Sequence, residues 1–217
     1  MTDEVKEQKA GTEKTNLRLD KAREFICRVK ALDRGELATL KRNAGNTVAE
    51  ARGVLWFYRL LDDEERRQSE VHFLVATLVG LNKHNSGTDF GRSMGVLKNK
   101  NRANPEAVER RFRILLDADF DRPDGYHAAG GEIVFRLRQM VKLAGSHEVG
   151  IDWARLLADL QQWGHPSKHV QKRWAESFYA PPAKLGKSTA DSTATDSAAD
   201  PTDTEITDKG EETVNAS

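Results

Sequence analysis

Between residues 17 and 180, almost every segment repeats its apolar residues at the spacing of an α-helix, and capping residues punctuate the repeats. Phe25, Cys27, Val29 and Leu32 belong to a first helix, and Leu37 and Leu40 to a short second one. The run VLWFYRLL at 54–61 is locally compatible with a strand. With Val48 and Ala51 before it and Asp62 ending it, it reads as a helix. Asp62 and Glu65 then form a D-x-x-E capping box for a helix through Val71, Leu74, Val75, Leu78 and Leu81. Gly87, Gly91 and Gly95 mark a loop. Asn104-Pro105 supplies an N-cap and first-turn pair for the next helix, where Val108, Phe112, Leu115 and Leu116 share one face. There Arg110 and Arg113 fall on the far side, and Arg111 flanks the apolar edge.

Ile133, Leu137, Met140 and Ala144 line a further helix that Gly145 stops, with Arg138 and Lys142 on its outer face. Trp153, Leu156, Leu157, Leu160 and Trp163 make the stripe of the penultimate helix. Val170, Trp174 and Phe178 make that of the last, with Lys168 and Lys172 outward. Each stripe must be buried, so the fold class expected is all-α: two packed helical bundles of about eight or nine helices. The expected boundaries are a disordered arm over 1–16, an N-terminal bundle over 17–120, a C-terminal bundle over 121–180 and a disordered acidic tail over 181–217. The two ends lack the large apolar side chains needed to offset the entropy of ordering.

Charge follows the same division. The formal net charge is zero, but residues 17–180 hold 28 Lys and Arg against 22 Asp and Glu, whereas residues 181–217 hold 3 against 8. Of the 28 cations 19 are Arg, the side chain suited to bidentate phosphate contact, so the body points to a polyanionic partner. The competing reading is a solvated surface on which these cations pair with the body's own carboxylates.

Chemistry of other kinds finds no support. No apolar run approaches the ~20 residues that cross a bilayer, and the charged first residues hold no secretory signal, so the chain reads as cytoplasmic with no membrane partner. Cys27, among Phe25, Ile26 and Val29, reads as a buried inert thiol. No phosphate-binding glycine motif is present. DADFD at 117–121 opens like a calcium loop but meets Arg122 at its sixth position and Ala128 at its twelfth. His165 and His169 are four apart, yet HPSKH lacks the glutamate of a zinc-hydrolase motif. We expect no catalysis, no cofactor and no metal.

Seven strings matter jointly: GELATLKR (35–42), WFYRLL (56–61), GRSMGVL (91–97), VERRFRILLDAD (108–119), FRLRQMVKL (135–143), IDWARLLADLQQWG (151–164) and VQKRWAESFY (170–179). In this order and spacing, over roughly residues 18–180, the chain resembles CasB, the small subunit of the type I-E CRISPR surveillance complex, Cascade. The resemblance implies a non-catalytic helical protein whose partners are the other Cascade subunits, a second copy of itself placed head to tail, and the backbones of guide RNA and target DNA. It implies contact with the R-loop, especially the displaced strand, in antiviral defence.

Carried over by position, Arg42 sits at the family's paired basic step with Lys41 before it. Arg110 and Arg111 match the E-R-R step, and Arg138 matches the L-R step, with Lys142 on the same face. Arg66 opens the helix after the capping box. Lys168, Lys172 and Arg173 match the basic character of the last helix, and Lys98 lies in a variable loop with Lys100 and Arg102. Arg59, beside Phe57 and Tyr58, reads as structural. The alternative is a helical scaffold docking an acidic protein. A helix-turn-helix regulator fits less well, because no helix pair exposes polar base-reading residues.

Overall fold

The apolar stripes become eight α-helices among the described residues of a computed structural model, which describes residues 3–121 and 130–181. They are α1 (Asp3–Lys30), α2 (Arg34–Arg42), α3 (Ser69–Val79), α4 (Phe90–Lys100), α5 (Pro105–Asp117), α6 (Gly131–Ser146), α7 (Trp153–Leu160) and α8 (His169–Tyr179). Two 3-10 turns, Leu55–Leu60 and Glu65–Gln68, precede α3. No strand forms among the described residues beyond isolated bridges such as Asn85 with Ile151. The acidic tail lies outside the described residues apart from Pro181, as do Arg122 and Ala128 of the calcium-loop comparison.

Local signals in the sequence set the helix starts. Asn104 Oδ1 accepts from the Ala107 N–H at 2.9 Å, and Asp33, Asp89 and Asp152 cap α2, α4 and α7 in the same way. The capping box forms reciprocally, the Glu65 N–H donating to Asp62 at 2.7 Å and the Asp62 N–H to Glu65 at 2.9 Å, but it opens the 3-10 turn Glu65–Gln68 rather than α3, whose N-cap Gln68 makes no side-chain cap bond.

Three local expectations are corrected. Within residues 54–61 the helix is a 3-10 turn, Leu55–Leu60, because Val54 and Phe57 are buried while Leu55 is 78% exposed, an apolar period of three rather than 3.6. Gly91 and Gly95 lie within α4, not in a loop. A Cβ on Gly91 would stand 2.1 Å from Trp174 O, and one on Gly95 2.8 Å from Phe178 O, so the glycines let α4 lie backbone to backbone on α8. Cys27 is exposed: α1 buries Ala22, Phe25, Ile26 and Val29, and position 27 is about 200° around the helix from Phe25. In addition, α1 reaches back over residues 3–16, which the sequence assigns to the arm. That stretch is rich in Glu, Lys and Gln, good helix formers that extend a helix already nucleated by its packed half.

The packing crosses the boundary expected at residue 120. α7 lies on α1 and α3, α8 lies on α4, and α6 touches α3, α4 and α5. Burial is continuous across them. Phe57 meets Phe25 and Phe73 edge to face, Phe112 stacks on Phe178, and Trp174 sits between Phe90 and Trp163. The buried indoles find acceptors, Trp163 on Ala118 O at 2.9 Å and Trp174 on Asp159 at 2.6 Å.

Candidate nucleic-acid interface

Close backbone approaches bring the ends of three helices together. A Cβ on Gly80, just past α3, would stand 3.0 Å from Lys41 Cβ, so the end of α2 lies on the end of α3. Gly45, at φ +99° in the turn after α2, faces Arg138: a Cβ there would be 3.1 Å from Arg138 Cδ. Gly145, in the last turn of α6, abuts Leu81 O and Asn82. Lys41 and Arg42, in the last turn of α2 where cations are favoured, therefore lie near Lys83 and near Arg138 of α6, with Lys142 one turn further along α6.

Their charge is not neutralised locally. Lys41, Arg42, Lys83 and Lys142 are exposed, and none of the five forms an ion pair with a described residue. Arg42 donates only to its neighbour Thr39, at 3.0 Å. Arg138, expected on an outer face, is half-buried, with its aliphatic stem against Gly45 and its Nε without a described hydrogen-bond partner. Against this patch opens a groove of about 410 Å³ lined by Lys30, Lys41 and Lys83 and by the apolar Leu37, Ala38 and Val79, with buried Trp153 behind them.

The other cations named from the sequence stand elsewhere. Arg110 and Arg111 are exposed on α5, and no described contact joins them to the patch. Arg66 is exposed and 3.6 Å from Asp63. Lys168 and Lys172 are exposed at the start of α8. Lys98, within α4 rather than a loop, pairs with Glu109 and lies 5.6 Å over the Phe178 ring. Arg173 pairs with buried Asp159, whose carboxyl burial pushes up while Arg173 pulls it down. Arg59 is held structurally, paired with Glu36 and 5.3 Å over Trp56. The histidines offer two rings rather than a metal cage. His165 and His169 lie 4.8 Å apart, and no group of three metal-binding side chains occurs among the described residues.

Sequence reasoning missed Lys30 and Lys83. Lys30 ends α1, a position favoured for cations, and Lys83 lies four residues past α3, but only the fold brings the two to one groove. No helix among the described residues is long and apolar enough to cross a membrane.

Comparison with known proteins agrees with the helical order. The family described as CRISPR-associated protein Cse2 matches residues 36–179. A CRISPR-associated protein Cse2 from Thermus thermophilus is 40% identical over 119 residues, covering 54% of this chain and 60% of that relative's length. The crystal structure of CasB from Thermus thermophilus is 34% identical, with a TM-score of 0.54, covering 76% of this chain and 97% of the other. A chain of a CRISPR RNA-guided surveillance complex has a TM-score of 0.60 at 21% identity, covering 74% of this chain and 92% of the other, a likeness of fold.

Proposed function

The chain belongs to the Cse2 family of CRISPR-associated proteins, and from that premise we propose that it is the small subunit of a Cascade-type surveillance complex. It carries no chemistry of its own and works as a backbone clamp. In such complexes base pairing reads the sequence, while protein grips phosphates and stabilises the displaced single strand. The observation that carries the reading is the patch of Lys41, Arg42, Lys83, Arg138 and Lys142, five cations without a described carboxylate partner. A surface meant only for solubility would intersperse both signs. Arg110 and Arg111 extend the nucleic-acid contact on α5. The partners are guide RNA and target DNA, the other Cascade subunits and a second copy of this chain.

The test is addition of the protein to a surveillance complex that lacks its small subunit, with R-loop lifetime as the readout. The wild-type chain restores stable R-loops. The triple reversal Arg42→Glu, Arg138→Glu, Lys142→Glu assembles but does not. Loss of assembly with R-loops otherwise intact would instead identify a scaffold docked on an acidic protein.

A further inference from the structure

The groove beside the basic patch has a shape that backbone contact alone does not require. Its wall is fixed by a clasp between the chain after α3 and the chain before α7. Asn82 Nδ2 donates to Val149 O at 2.9 Å and the Ile151 N–H donates to His84 O at 3.1 Å. Gly150 comes so close that a Cβ would stand 2.2 Å from Asn85 O. The clasp holds the start of α7, where buried Trp153 backs the cavity that Lys83 also lines. Lys30 Nζ donates to Asn85 Oδ1 at 2.9 Å, tying the end of α1 to the same segment. The result is a prebuilt pocket of about 410 Å³ with an apolar floor and three ammonium groups around its mouth.

We propose that this groove takes one unstacked base of a single DNA strand, with the flanking phosphates on Lys30, Lys41 and Lys83. The inference rests on the backbone-binding reading and deepens it. A phosphate alone would leave the half-buried Leu37 and Val79 unused, whereas a base covers them and keeps its phosphates on the surrounding lysines. Paired bases are stacked inside a duplex and cannot enter. In an R-loop the displaced DNA strand is single along its length, so its bases are free to enter.

Fluorescence anisotropy on the full chain tests this with two labelled strands of equal length, oligo-dT and a wholly abasic deoxyribose-phosphate strand. The dT strand binds at least about fivefold more tightly. Ala38→Leu, which fills the mouth from an exposed position on α2 without changing charge, abolishes that difference and leaves abasic binding as it was. Lys83→Ala weakens both strands. Equal affinity of wild type for both strands sinks the base pocket and leaves backbone binding standing. A preference for dT that survives Ala38→Leu also overturns it, and so does tighter binding of the matching RNA. No binding of either strand removes the backbone reading and the pocket together.

Discussion

Salt is the sharpest probe of the proposed clamp. Five cations on one neighbourhood, Lys41, Arg42, Lys83, Arg138 and Lys142, can neutralise at most five phosphates. Each phosphate neutralised on a single strand contributes roughly −0.7 to the slope of log affinity against log salt, so the full patch gives a slope of about −3.5. Between 50 and 200 mM salt that is a loss of about 100-fold in affinity. Removing one side chain acts twice: Lys142→Ala lowers affinity and also flattens the slope by about 0.7. Lys98→Ala, whose charge is already paired with Glu109, leaves the slope unchanged. The assay is anisotropy of a labelled oligonucleotide across a salt series, repeated for each variant. A slope shallower than about −1 for the wild type, or equal effects of Lys98→Ala and Lys142→Ala, refutes the assignment of phosphate contact to this patch.

Further predictions concern the scaffold. Gly91→Ala forces a Cβ into contact with the Trp174 carbonyl at 2.1 Å, so α4 and α8 must part. Overpacking of about 3 kcal/mol outweighs the ~1 kcal/mol of helix propensity gained, and the melting temperature falls by about 4–8 °C. Gly87→Ala, in open space, serves as the unaffected control. His72 is buried, and burial lowers its pKa from the ordinary 6.5; its Nδ1 lies 2.9 Å from Gln68 O. The sign follows: the neutral ring's contribution is complete above pH 6.5 and is lost as pH falls through the lowered value. His72→Phe, keeping the edge-to-face contact with Phe25, flattens urea-denaturation stability across that window. Arg173→Ala strands buried Asp159 and costs about 1–3 kcal/mol, discounted because Arg173 is itself half exposed. The raised carboxyl pKa makes that cost larger at pH 8 than at pH 4, measured by the same denaturation.

The helices were legible in the sequence wherever the stripe faces a core of side chains. Phe112, Leu137, Leu157 and Trp174 sit where a 3.6 period puts them, and all are buried. The Asp62–Glu65 box and the Asn104-Pro105 start were legible because their partners are three residues away. Apart from the 3-10 turn and Cys27, which local periodicity explains, what failed was non-local. Gly91 and Gly95 look like breakers until α8, some 80 residues later, explains why a side chain there has no room. Arg138 looks outward until the turn at Gly45 folds over its stem. The candidate site follows the same rule. Arg42 and Arg138 carry readable resemblance and Lys142 follows from helical register, whereas Lys30 and Lys83 acquire meaning only when the fold brings them to line one groove.

The glycine contact between α4 and α8 also sets an order of events during synthesis. α4 ends at Lys100 and its partner is complete only at Tyr179. At roughly 5–20 residues per second, α4 waits about 4–16 s outside the ribosome before α8 arrives. α1 waits longer still, for α7. Neither helix can complete its core contacts alone, so the nascent chain shows apolar faces until its last helix emerges. A stop codon just before α8 leaves the face of α4 that this helix covers open to water.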